Sequence, residues 1–354
     1  MASVAPAQGQ SERELIAAAR AGDHEAFERL TQPYKRQLHV HCYRMLGSFH
    51  DADDAVQETF LRAWRGLATF ESRATFRAWL YRIATNACLR EIERRPARVL
   101  PQEFGPAADP MLPPAPPVTE VVLLDPYPNA LLGELTGAAA DPEALYIERE
   151  SVELAFLAVI QLLPPRQRAA LLLRDVLGWR ASEVAALLES SVASINSALQ
   201  RARATLADRL HGAGAGAGGR ANSDATERTV LVRYIRAWEE GDMKALALLL
   251  REDAVLTMAP APNWFQGRQA IVTFFHELCF SARPKRFRLL PTGANGQPAC
   301  AAYEWDADVG GYRFSGIMAL RLEGDLISDI TGFGDPELFS MFGLPAVIIE
   351  ERPA

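Results

Sequence analysis

Trp79, Arg82, Asn86 and Arg90 stand three or four residues apart, so a helix through FRAWLYRIATNACLREIERR sets an indole, a carboxamide and two guanidinium groups on one face. That combination suits single-stranded nucleic acid: bases stack on the ring, guanidinium groups neutralise phosphates and an amide reads a base edge. The same spacing suits Trp79 as a core aromatic. A second set follows at Ser194, Asn196, Ser197, Gln200, Arg201 and Arg203. Short polar groups come first and cations later, the order of a helix whose first turns read the major groove while its later arginines hold phosphates. A plain helical hairpin carries the same bare pattern. Asp54, Gln57, Glu58 and Arg62 form a third polar ridge, either a solvated face or a docking surface for a basic partner. Acid–base chemistry has four scattered candidates, Asp253, His276, Asp306 and Asp329, any of which could serve as a general base. None belongs to a motif that fixes a reaction, and lone acids at strand ends commonly cap or stay solvated.

The elements that must position these groups are mainly helices. Within DADDAVQETFLRAWRGL, Val56, Phe60, Ala63 and Leu67 fall on one face, and Phe76, Leu80, Ile83, Ala84 and Ala87 form the buried stripe of the next helix. With shorter amphipathic runs at Leu15–Ala19, Phe27–Tyr34 and Leu38–Leu46, they make an all-helical module over residues 10–98. In a second module, residues 141–210, Pro164 and Pro165 separate two helices. A shorter pair follows, with Val184, Ala185 and Leu188 inward on one member and Val192, Ile195, Leu199, Ala202 and Leu206 on the other. Residues 224–350 read as helices over Thr226–Glu240 and Met243–Leu250, a strand at AVLTM, a helix in GRQAIVTFFHELCF, and strands near 286–291, 299–306, 312–322 and 325–332. Helices followed by an antiparallel sheet imply an α+β domain. Trp264, Phe265 and Trp305 either pack its core or line an apolar pocket.

The chain has 354 residues, 49% apolar and 23% charged, which excludes a disordered chain or a disulfide-stapled miniprotein and allows two or three domains. Its net charge of -7 conceals segregation: Arg62–Arg98 carries a net +6, Val99–Glu150 a net -8, and Arg166–Arg209 a net +3. Nine prolines between Pro101 and Pro128 make residues 99–140 read as an acidic, extended linker, and the Gly/Ala alternation of residues 211–223 reads as a flexible hinge. Cys42, Cys88, Cys279 and Cys300 form no CxxC pair or Cys/His cluster, so no zinc site, disulfide framework or other cofactor is expected. The N-terminus lacks a basic segment before an apolar core, and the run Leu154–Leu163 is too short for a bilayer. A soluble cytoplasmic protein with no membrane partner is the expectation.

DADDAVQETFLRAW followed by FRAWLYRIATNACL resembles regions 2.1 to 2.4 of the extracytoplasmic-function (ECF) sigma factors of the sigma-70 family, over most of residues 25–95. The resemblance implies that Asp51, Asp54, Gln57, Glu58 and Phe60 bind the β′ clamp of core RNA polymerase. It implies also that Phe70, Thr75, Phe76, Trp79, Arg82, Asn86 and Arg90 melt and capture the promoter -10 element. LPPRQRAALLLRDVLGWRASEVAALL with VASINSALQRARATL resembles region 4 of the same family, which engages the β flap and the -35 element of promoter DNA, here through Ser194, Asn196, Ser197, Gln200, Arg201 and Arg203. Helix-turn-helix proteins often place glycine in the turn where this chain has Glu189. In this family the linker between the two regions threads polymerase channels that later hold RNA, so its acidity either mimics a nucleic-acid backbone or marks a solvated spacer. This linker is longer than the usual one, and its DPYPNALLGE stretch is similar to that of a SigG-like subgroup.

WEEGDMKAL, GRQAIVTFF and the closing strands resemble a SnoaL-like domain of the NTF2-like cone fold, whose curved sheet and helices enclose a pocket that would take a small apolar ligand. Relatives of that fold include isomerases and hydrolases, and sigma factors that carry it use it for regulation. The regulatory tail known in one branch has a DGGGR-like segment and an Asn-Pro-Asp motif; this chain has no DGGGR and shows DPELF at Asp335–Phe339. The expected architecture is therefore multidomain: two all-α sigma modules, a region 2 bundle and a region 4 helix-turn-helix, plus an α+β cone domain. The expected function is an alternative sigma factor, not an enzyme, modulated in cis by its third domain. The alternatives are a bifunctional protein whose third domain is a small-molecule isomerase or hydrolase, and a ligand-responsive operator-binding regulator.

Overall fold

The computed structural model describes residues 11–70, 75–94, 98, 101–103, 105–116, 123–132, 152–212, 223–281 and 286–349. It contains two compact units, Met1–Arg95 with Pro164–Arg201, and Pro96–Leu163 with Ala202–Ala354.

The first unit opens with α1 (Glu12–Arg20), α2 (His24–Thr31), α3 (Lys35–Leu46), α4 (Phe49–Gly66) and α5 (Phe76–Arg94). Local chemistry sets their ends. At α1 the Ser11 hydroxyl accepts from Glu14 N at 3.4 Å while the Glu14 carboxylate accepts from Ser11 N at 2.8 Å, a reciprocal capping box. Gly47, left-handed at φ 72°, closes α3, and Ser48 caps α4 through Asp51 N at 3.3 Å. From Leu38 to Leu46 every residue of α3 is buried, including His39, His41 and Arg44, so α3 is the axis on which α4 and α5 pack. Val56 and Ala63 of α4, and Leu80, Ala84 and Cys88 of α5, meet it as their periodicity requires.

α7 (Pro165–Leu171) joins this bundle through Arg168, which is buried and donates from Nη1 to the Met45 carbonyl at 2.5 Å. Burial pushes that guanidinium down to about 10. α8 (Ala181–Leu187) and α9 (Val192–Gly212) follow.

The second unit contains α6 (Leu154–Gln161), α10 (Asp224–Glu239), α11 (Met243–Leu249) and α12 (Arg268–Phe275). Its seven-stranded sheet is built from β1 (Leu250–Ala259), β2 (Trp264–Gln266), β3 (Phe287–Ala294), β4 (Gln297–Asp306), β5 (Gly311–Glu323) and β6 (Leu326–Phe333), in the order β2-β1-β6-β5-β4-β3, with β7 (Val347–Ile349) pairing β5. β1 and β6 run parallel; the other pairs are antiparallel. Tyr234, Trp238, Phe274 and Phe275 from the helices pack on Leu256, Cys300, Leu320 and Ile330 of one face. On the other face Ala299, Ala301, Tyr303, Phe314 and Ile317 are covered by Leu338 of the short α13 (Leu338–Met341), by Phe339, Phe342 and Leu344, and by Leu154.

Two stretches differ from the sequence expectation. The linker over 99–140 reads as an extended tether, yet its described parts belong to the second unit and pack on its sheet. Leu154, expected in the second helical module, lies in the apolar cluster on the sheet because its side chain finds its burial there. The hinge proposed for residues 211–223 falls mostly outside the described residues, as does the region 4 segment 141–151. Among the described residues no helix is long and apolar enough to cross a membrane, and no three metal-ligating side chains converge.

The buried histidines make the fold of the first unit acid-sensitive. Burial lowers His41 from 6.5 to about 3 and His39 from 6.5 to about 4. Below pH 6.5 the unfolded chain binds protons that the folded one refuses, so stability is complete above 6.5 and is lost as pH falls toward 4. The loss is on the order of 1 kcal/mol per histidine per pH unit. Urea melts at pH 7.5, 6.0 and 5.0 are expected to show this decline, with a shallower slope in His41→Gln.

Candidate functional site

The polar ridge of α4 faces a cleft. Asp51, Asp54, Glu58 and Arg62 line one wall and Arg90, Glu91 and Arg94 of α5 the other, with Ala55 and Ala87 at its floor, around about 230 Å³. Glu58 and Arg62 pair one turn apart, and Gln57 stands exposed with its Nε2 donating to Asp53 at 2.8 Å. Phe60 is half-buried. Desolvation, helped by Arg62 and Arg94, holds the Arg90 guanidinium below its usual range against the opposing pull of Glu58. The cleft therefore presents carboxylates and guanidinium groups of both signs to a partner. Arg90 belongs to this wall, beside the residues expected to bind protein, which the linear spacing with Trp79 and Arg82 does not reveal.

At Phe70 and along the start of α5 the aromatic residues separate into two roles. Phe70 and Phe76 are 6% and 1% exposed and meet edge to face at 5.7 Å, so they are core and not a nucleic-acid surface. The resemblance implies that both contact DNA; in this structure both rings pack inward. Trp79 packs at 4.9 Å from Phe70 but remains partly exposed. Thr75 is exposed and accepts from Ala78 N at 3.2 Å, a cap for α5. Asn86 is partly exposed and Arg82 more so, its guanidinium paired with Glu189. Arg77, which the sequence reading passed over, lies with its guanidinium 5.4 Å from the Tyr81 ring and 5.9 Å from Trp179.

α8 and α9 form a helix-turn-helix. Ser190 N donates to the Ala185 carbonyl at 2.9 Å, and Ser191 Oγ caps α9 by accepting from Ser194 N at 3.1 Å. Between them Glu189 adopts φ 52°, the left-handed conformation that glycine tolerates best. Ile195, Leu199 and Ala202 of α9 are buried, whereas Ser194, Asn196, Ser197, Gln200, Arg201 and Arg203 are all exposed. Val192, expected on the inward stripe, is 43% exposed because it begins the helix beyond the packed turn.

The acid–base candidates of the third module do not converge. Asp253 pairs with Arg251 at 2.8 Å, Asp306 with Arg313 at 2.7 Å, and Asp329 with Arg321 at 3.3 Å and Ser328 at 2.8 Å. His276 is exposed 3.2 Å from Glu277. Their arginine partners hold Asp253 and Asp306 below the usual carboxylate range, which makes them weak bases. Phe265 is buried and stacks on Phe274 at 4.1 Å, while Trp264 donates to the Gly105 carbonyl at 2.8 Å and Trp305 lies under Arg286 at 4.5 Å. The three rings thus serve separate packing contacts.

Three protein families match in order: Sigma-70 region 2 over residues 30–97, Sigma-70 region 4 over 153–206, and the SnoaL-like domain over 231–330. The ECF RNA polymerase sigma factor SigG of Mycobacterium tuberculosis is 43% identical over 334 residues, covering 92% of this chain and 85% of that protein. The chain belongs to the ECF sigma factors. SigM of the same organism is 32% identical over 201 residues, 57% of this chain and 85% of that protein. In three dimensions the ECF sigma factor SigJ of M. tuberculosis aligns with a TM-score of 0.54 at 22% identity, over 88% of this chain and 96% of that one, a likeness of fold. Region 2 of this sigma factor thus contains α3, α4 and α5, and region 4 ends in the helix-turn-helix.

Glu189 offers a check on that turn. A left-handed non-glycine residue costs about 1 kcal/mol, and an exposed ion pair such as that with Arg82 returns only a few tenths. Glu189→Gly is expected to stabilise the protein by roughly 0.5 kcal/mol in urea unfolding. Glu189→Ala, which keeps the strain and loses the pair, is expected to destabilise it slightly.

Proposed function

We propose that this ECF sigma factor binds core RNA polymerase through the α4 ridge, Asp51, Asp54, Gln57 and Glu58 with Phe60 beside them, and carries it to promoters read at two elements. The exposed face of α5, with Trp79, Arg82 and Asn86, takes the -10 strand, Trp79 stacking a base and Arg82 neutralising phosphate. α9 enters the major groove at the -35 element, Asn196, Ser197 and Gln200 reading base edges and Arg201 and Arg203 gripping the backbone. The chain works in the cytoplasm and performs no catalysis of its own; its SnoaL-like domain modulates it in cis. The observation that carries this reading is the polar face of α9, six exposed hydrogen-bonding side chains opposite Ile195, Leu199 and Ala202, in a chain whose two sigma regions occur in family order.

Core-polymerase binding and run-off transcription with the full chain test it, using a promoter library randomised at both elements. Gln57→Ala and Glu58→Ala are expected to weaken core binding about tenfold, a loss in the range of a charged or polar interface contact. Arg201→Ala and Arg203→Ala should each lower promoter affinity across sequences and reduce the salt slope by about 1, whereas Gln200→Ala should relax selection at the -35 element. Unchanged core affinity in both ridge variants, with promoter selection intact in the α9 variants, would overturn the assignment.

A further inference from the structure

Asp125-Pro-Tyr-Pro-Asn129 lies between the two sigma regions and outside all three family matches. In the second unit this stretch is seated on the tip of the β3–β4 hairpin. The hairpin turns through Asn295 and Gly296 at φ 54° and 74°, the left-handed pair of a two-residue type I′ loop. Such tips ordinarily face water, yet Asn295 is 0% exposed. Its Oδ1 accepts from Tyr127 N at 2.9 Å, its backbone N donates to the Tyr127 carbonyl at 2.8 Å, and its Nδ2 donates to the Val152 carbonyl at 2.8 Å. Asn129 returns the grip: its Oδ1 accepts from Gly296 N at 2.7 Å and its Nδ2 donates to the Gln297 carbonyl at 3.1 Å. Pro128 bridges Ala294, and Leu124 and Tyr127 are each 1% exposed. The fit leaves no room at Gly293, where a Cβ would stand 2.4 Å from Asn129 Nδ2.

The same linker grips the opposite edge of the sheet. Ala108 N donates to the Trp264 carbonyl at 2.8 Å, Trp264 Nε1 to the Gly105 carbonyl at 2.8 Å, and Ala115 N to Asn263 Oδ1 at 2.6 Å. β2 and β3 are the two outer strands of the sheet, so one linker satisfies polar groups at both edges.

We propose that DPYPN is a docking motif for the Asn295 hairpin, and that the SnoaL-like domain restrains the sigma factor by holding the tether between regions 2 and 4. Closed, the clasp keeps residues 105–116 and 123–132 folded on the domain. Opened, it releases chain that extends to roughly 90 Å at about 3.3 Å per residue, reach that the two regions need to engage two separated promoter elements. This consequence rests on the sigma reading above; the clasp itself does not.

Two variants open it from different sides. Asn295→Gly keeps the left-handed turn and deletes the side-chain grip on Tyr127 and Val152. Gly293→Ala, at a position without positive φ, displaces Asn129 by steric contact. Hydrogen exchange on the full chain should show amide exchange over residues 123–132 rising at least tenfold in both, with β4 and β5 protection retained. Transcription with core polymerase should rise severalfold. Unchanged exchange in both variants overturns the clasp. Raised exchange with unchanged or lower transcription overturns its restraining role. Failure of the wild-type chain to bind core overturns the sigma reading and the restraint with it, while the exchange experiment still decides whether DPYPN is a docking motif.

Discussion

A sheet has two faces and two edges, and buried or unpaired backbone groups at any of them cost free energy unless something covers them. In this chain each surface is closed by a different stretch of sequence. α10, α11 and α12 fill one face with Tyr234, Trp238, Phe274 and Phe275; the segment around α13 covers the other. The edges fall to a linker 148 to 168 residues upstream, through Ala108 at β2 and Tyr127 to Asn129 at β3. Covering the sheet thereby lays part of the tether between the two sigma regions on the third domain.

The first unit obeys a different constraint. Its helices bury one side in the core, α4 and α5 against α3, so functional groups must sit on faces that contribute little to that core. α9 meets this cleanly, with Ile195 and Leu199 inward and Gln200 and Arg201 outward. α5 is crowded: Tyr81 and Cys88 are buried, Arg77 lies over Tyr81, and Arg90 turns toward α4. Of the α5 groups expected to meet nucleic acid, that leaves Arg82 exposed, with Asn86 and Trp79 partly so. Polar groups buried at the axis each keep one hydrogen bond, His41 with Thr85 at 2.9 Å and Arg168 to the Met45 carbonyl.

The SnoaL-like domain has the topology of a fold that elsewhere supports catalysis, but fold does not carry function. Here Asp253, Asp306 and Asp329 are tied to arginines, and the helix-side interior is occupied by stacked aromatic rings such as Phe265 on Phe274. What the domain does present is a hairpin tip shaped for a peptide, with Asn295 buried and Gly293 lacking the Cβ that would collide. Its chemistry is that of a protein-binding module directed at its own chain.

Much of this was legible in the sequence. Helix faces on α4, α5 and α9 follow from a 3.6-residue period, the α+β order of the third domain from alternating runs, and the family from DADDAVQETF and the region 4 segment, because these signals are local and repeat within a few turns. The division of Phe70, Phe76 and Trp79 between core and surface was not legible, since all three are aromatic and only their tertiary packing separates them. Nor was the linker, whose prolines and acids read as an extended spacer. Proline removes backbone donors and favours extended chain, but it does not say whether that chain is solvated or laid along a sheet edge. That was decided by contacts between residues 168 apart, Tyr127 and Asn295, which no local pattern encodes. Sequence alone determined which groups this protein carries and on which helix faces; the tertiary structure decided which of them remain free to meet a partner, because burial is a property of the whole fold and not of any one segment.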